Sequence, residues 1–96
     1  MGPSKPERKV TVPMGPVKRS MMIAGHATSI SLEPLFWAAL REAADAEGLP
    51  VNALVARIDA ERVEAPDPPN LGSAIRVWLF ERARADVLAT VANNSQ

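Results

Sequence analysis

The feature that most constrains this 96-residue chain is one stretch of alternation, Ala27-Thr28-Ser29-Ile30-Ser31-Leu32. Thr28, Ile30 and Leu32 fall on one face; Ala27, Ser29 and Ser31 fall on the other. Period two over six residues, with β-branched Thr and Ile, predicts a half-buried strand. No other segment offers a comparable strand. A lone strand leaves a row of backbone donors and acceptors unpaired, and such an edge seeks a partner. The expected partner is the same strand of a second copy, in an antiparallel two-stranded ribbon shared between subunits.

Two helices follow. Pro34 has a fixed φ and no amide donor, which suits the first turn of a helix, and Glu33 before it suits the positive end of the helix dipole. The first helix is predicted over Pro34 to Glu47, with Leu35, Phe36, Ala39, Leu40, Ala43 and Ala44 as its apolar face. Trp37 falls to the side of that stripe and is expected at a dimer rim or a partner contact. Gly48 ends the helix where a left-handed residue is easiest. The second helix is predicted from Val51 to Arg62. Val51, Leu54, Val55 and Ile58 stand at i, i+3, i+4 and i+7, an amphipathic pattern. Burial of each contributes roughly 1.5–3 kcal/mol, and these four are expected to pack against their twofold mates. The expected dimer core is therefore Ile30, Leu32, Phe36, Leu40, Val51, Leu54, Val55 and Ile58.

Pro66, Pro68 and Pro69, with Glu64 and Asp67, make a stiff acidic connector. Asn70 is placed to cap a third helix over Leu71 to Val91. Ile75, Trp78, Leu79, Arg82, Ala83 and Asp86 give one face of it; Val77, Phe80, Arg84 and Val87 give another. Apolar residues on two faces predict a helix held on several sides, either against the first two helices or against the third helix of the other subunit. The expected organisation is a disordered basic arm over 1–20, a domain over 21–91 and a frayed tail over 92–96. Pro3, Pro6, Pro13 and Pro16 keep the arm out of any helix.

Net charge is zero, but it is unevenly placed. Lys5, Arg8, Lys9, Lys18 and Arg19 stand against Glu7 in residues 1–26, a net of +4. The rest of the chain carries the balancing −4. Positive charge gathered at one end is a footprint for phosphate. Lys18 and Arg19, just before the strand, are the expected backbone contacts.

No catalytic constellation is present. The chain has one histidine, His26, and no cysteine, so there is no disulfide or thiolate chemistry. A metal site would need carboxylates from dispersed positions; none is expected, and no cofactor. Ser29 and Ser31 lack a histidine base in reach by sequence, Gly72-Ser73 has no nucleophile-elbow context, and no glycine-rich phosphate loop occurs. No apolar run approaches the roughly 20 residues that cross a bilayer. The expectation is a non-enzymatic, cytoplasmic, nucleoid-associated protein.

Strand, helix, glycine turn and helix together resemble the ribbon-helix-helix family of bacterial and phage repressors. Gly48-Leu49-Pro50-Val51-Asn52-Ala53-Leu54-Val55 is similar to that family's turn and the start of its second helix. Gly25-His26-Ala27-Thr28-Ser29-Ile30-Ser31-Leu32-Glu33-Pro34, then Trp37, then Leu71-Gly72-Ser73-Ala74-Ile75-Arg76, resembles a group of small bacterial ribbon-helix-helix domain proteins. The resemblance covers roughly residues 21–84. It implies a mainly α fold with one short strand, an intertwined homodimer, and an additional C-terminal helix. It also implies double-stranded DNA as partner. Outward ribbon side chains, here Ala27, Ser29 and Ser31, would meet base edges in the major groove. Amides at the start of the second helix, around Pro50, Val51 and Asn52, would hold phosphate. The outward positions carry no Arg or Lys, and Pro50 stands where a small polar cap is usual. The charge would then come from Lys18, Arg19 and the arm. Two functions follow: a dimeric DNA-binding transcriptional regulator, or a dimer serving as a protein-interaction module without specific DNA binding, with the third helix offered to a protein partner.

Overall fold

In the computed structural model, which describes residues 15–94, two strands precede three helices: β1 (Val17–Ile23), β2 (His26–Leu32), α1 (Pro34–Glu47), α2 (Val51–Arg62) and α3 (Leu71–Asn94). β1 and β2 pair antiparallel from Val17↔Leu32 to Ile23↔His26. The predicted strand therefore has its complement in its own chain, and the ribbon is a hairpin, not a pairing between subunits. Its loop is two residues long. Ala24 at φ 50° and Gly25 at φ 84° both lie in the left-handed region, as in the hairpin turns whose twist matches that of the flanking strands.

Both expected boundaries fall inside elements, the first inside β1 and the second inside α3. Lys18, Arg19 and Ser20 belong to β1, so the expected arm over 1–20 is too long by its last residues and the domain starts before residue 21. Residues 1–14 of that arm lie outside the described residues. At the other end, Ala92, Asn93 and Asn94 are helical, so the expected frayed tail starts too early; residues 95–96 lie outside the described residues.

Both helix bounds of α1 and α2 match the sequence reading because their signals are local. Glu33 is extended at φ −61° and ψ 151° with Pro34 behind it, and its carbonyl accepts from Phe36 N at 2.9 Å and Trp37 N at 3.1 Å. Gly48 is left-handed at φ 70°, and the amides of Gly48 and Leu49 return to the carbonyls of Asp45 and Ala44. Pro50 accepts from Ala53 N and Leu54 N to open α2. Asn70 Oδ1 accepts from Ser73 N at 2.8 Å and caps α3. Arg62 pins the connector: it donates to Asp59 at 2.8 Å and to the Pro69 carbonyl at 3.0 Å.

The core joins all five elements. Ile23, Ile30 and Leu32 from the ribbon meet Trp37, Leu40, Ala43 and Ala44 of α1, Leu54, Val55 and Ile58 of α2, and Ile75 and Leu79 of α3. Leu32, Leu40, Leu54, Val55 and Ile75 are fully buried. The expectation that Ile30, Leu32, Leu40, Leu54, Val55 and Ile58 await a twofold mate is thereby corrected. A hairpin and a third helix supply, within one chain, the apolar surface that a second copy was expected to bring. Phe36 and Val51, also expected in a dimer core, are partly buried against this same cluster.

Trp37 is corrected as well. It is a core residue at 3% exposure, while Leu35 is 67% exposed. Its indole Nε1 donates to the Val17 carbonyl at 2.9 Å. A buried indole needs such an acceptor, and β1, absent from the sequence reading, provides it.

Candidate nucleic-acid interface

Residues directly opposed across an antiparallel pair share a face. The register therefore sorts the ribbon into two sides. Val17, Met21 and Ile23 of β1 face inward with Thr28, Ile30 and Leu32 of β2. Lys18, Ser20 and Met22 face outward, opposite Ser31, Ser29 and Ala27 respectively. All six outward residues are exposed. Ser20 Oγ and Ser29 Oγ stand 3.3 Å apart and are hydrogen-bonded across the strands.

Three of the sequence-predicted contacts, Ala27, Ser29 and Ser31, thus lie on one outward face, and Lys18 joins them. Arg19 does not. It sits on the other side of β1, with its guanidinium 5.1 Å from the Trp37 ring centroid, a cation–π geometry. Ser20 and Met22 were missed because β1 was read as part of an arm. The period-two alternation of Val17, Met21 and Ile23 against Lys18, Ser20 and Met22 was the available signal.

The start of α2 is tied to the ribbon. Asn52 Nδ2 donates to the Met22 carbonyl at 3.3 Å, which holds the first turn of α2 beside the hairpin loop. The Asn52 side chain, expected as a donor to phosphate, is thus engaged in the fold. Pro50 contributes no amide, and Val51 is half-buried. The first-turn amides lack a side-chain cap, and such a terminus carries partial positive charge.

At the other end of the ribbon, α3 comes close to β2. A Cβ on Gly72 would stand 3.3 Å from the Ser31 carbonyl, so glycine permits this approach. Ser29, Ser31, Asn70 and Arg76 line an open hollow there. Arg76 is a cation that the sequence reading did not place near the ribbon. Its charge is already matched: Nε and Nη2 donate to Glu33 at 2.9 and 2.8 Å. The Glu33 carboxyl is held below its ordinary value by its own backbone amide first and by Arg76 second. On the far side, Glu47 is lowered in the same way by Arg82 at 2.7 Å and Arg57 at 3.3 Å.

The arrangement can present a narrow, mostly uncharged two-stranded surface with one lysine, flanked by the free end of α2. It is poor in base-reading groups. Among the described residues, no group of three His, Cys, Asp or Glu side chains is placed to hold a metal ion, and no helix is long and apolar enough to cross a membrane.

A family model described as Ribbon-helix-helix domain matches residues 16–83. The match takes in β1, β2, α1, α2 and the first half of α3. No curated protein and no solved structure gives a significant match.

Proposed function

Because the chain belongs to the ribbon-helix-helix domain family, a family typically of DNA-binding regulators and generally non-catalytic, we propose that it works as a dimeric DNA-binding transcriptional regulator. The hairpin enters the major groove with Lys18, Ser20, Ser29 and Ser31 towards the bases and Ala27 at the turn end. A two-stranded ribbon fits that groove. The amides at Val51 and Asn52 and the basic residues of segment 1–14 take phosphates. Each protomer brings a whole ribbon, so a twofold dimer would read two half-sites.

The observation that carries this reading is the outward ribbon face, which is exposed along both strands and flanked by the start of α2. Short serines discriminate bases weakly, so most of the affinity is assigned to phosphate. Binding to duplex DNA should then weaken steeply with salt, with a log–log slope of about −0.9 per phosphate engaged. Lys18→Glu should weaken binding, and removal of residues 1–14 should flatten the slope. Absence of any complex with duplex DNA at low salt sinks the proposal.

The second reading, a dimeric interaction module that does without specific DNA contacts, draws support from exposed apolar residues on α3, above all Phe80 at 62% exposure. Trp37, counted towards it by sequence, is buried and no longer supports it. Retention of a specific protein partner by a variant that binds no duplex DNA would favour this alternative.

A further inference from the structure

α3 has two apolar faces, and the described residues cover only one. Ile75 and Leu79 are buried in the core. Val77, Phe80, Val87, Leu88 and Val91 are 59%, 62%, 60%, 57% and 58% exposed. With Arg84 they follow heptad spacing: Val77, Phe80, Arg84, Val87 and Val91 occupy the a and d positions of a seam, with Leu88 beside it. At 3.6 residues per turn this stripe is about 100° wide and lies opposite Ile75 and Leu79. It runs on past residue 83, where the family match ends. Scattered apolar residues on a surface need no explanation, but a continuous stripe does.

We propose that this stripe binds the same stripe of a second copy, the two α3 helices running antiparallel. Charge decides both the occupant and the direction. One charged residue, Arg84, interrupts the seam, and Glu81 borders it. Among the described residues, ion pairs within 4.0 Å engage Arg57, Arg62, Arg76 and Arg82, and neither Glu81 nor Arg84 takes part. An antiparallel pair with its twofold axis near residue 82 sets Val77 against the partner's Val87. It also sets Phe80 against the partner's Arg84 and Glu81 beside the partner's Arg84. Symmetry makes each contact twice. The one interrupting cation thus meets a carboxylate and an aromatic face. A parallel pair would instead stack two Arg84 side chains in one layer.

This proposal takes only the dimeric state from the preceding reading and gives it an interface; it stands whether or not the dimer meets DNA. A single helix pair makes a small interface, of the class that associates weakly and reversibly. Sedimentation equilibrium of the full chain, without DNA, from about 1 to 200 μM should show a reversible monomer–dimer equilibrium. Phe80→Glu and Val87→Glu lie on exposed positions, so circular dichroism should be unchanged while association weakens at least about tenfold. Glu81→Arg and Arg84→Glu should each weaken it, and the double reversal should restore it. The chain has no cysteine, so mixed V77C and V87C chains should cross-link with each other and not with themselves. A folded monomer at the highest concentration, a dimer indifferent to V87E, or cross-links between like positions would each overturn the proposal. A dimer with these properties that binds no duplex at low salt leaves the interface in place and removes the DNA reading.

Discussion

Glu33 and Glu47 show how single side chains bind α3 to the rest of the protein. Glu33 stands at the start of α1 and reaches Arg76 of α3; Glu47 stands at its end and reaches Arg82 of α3 and Arg57 of α2. Each carboxyl is partly exposed, so solvent screens its pair and each contributes modestly. Both carboxyls titrate lower in the fold than free glutamate does. The sign follows from linkage. Their stabilisation is complete above the ordinary glutamate value and is lost as the pH falls through the lowered folded values. The urea midpoint should therefore drop as the pH is lowered below the ordinary glutamate value. In the Glu33→Gln/Glu47→Gln double variant that drop should be shallower. An equal drop in the variant would show that other carboxylates control acid stability. Neither pair was legible in the sequence, because 43 and 35 residues separate the arginines from their carboxylates.

At the scale of elements, local signals were legible and distant ones were not. Glu33-Pro34, Gly48 and Asn70 mark helix ends through contacts within a few residues, so α1 and α2 were bounded correctly from sequence. The hairpin was missed because its loop lacks the usual Asn-Gly or Asp-Gly pair and because Pro13 and Pro16 made the preceding segment read as an arm. Missing β1 left out half of the outer ribbon face, hid Trp37 from the core and turned an internal core into a presumed dimer interface. The outward half of β2 was read correctly, since alternation alone determines which side each residue takes. The loop also yields a prediction. Ala24 holds φ 50°, a region costly for alanine and tolerated by asparagine. Ala24→Asn should stabilise the protein by roughly 0.5–1 kcal/mol, seen as a higher denaturation midpoint with unchanged denaturant slope. A lower midpoint would contradict the turn geometry.

Across the whole molecule, α3 closes the core with its first half and leaves its second half on the surface. Removal of everything after residue 84 should leave a cooperative unfolding transition, because Ile75 and Leu79 remain in place. Removal of everything after residue 70 takes both away, with the Arg76 and Arg82 links. Burial of each such aliphatic side chain is worth roughly 1.5–3 kcal/mol, and the core residues they pack among lose that cover. Domains of this size hold only about 5–15 kcal/mol in total, so the shorter chain should lose its cooperative transition in far-ultraviolet dichroism. A sharp transition there would mean that the ribbon and two helices suffice.

The closure of β1 on β2 within one polypeptide reaches into kinetics. A reader woven from two chains can form only when they collide, and its folding rate must rise with protein concentration. Here each molecule can complete its two-stranded face in isolation, so its folding rate should not depend on protein concentration. Paired copies could then part and pair again without unravelling, since the core of each is closed within its own chain.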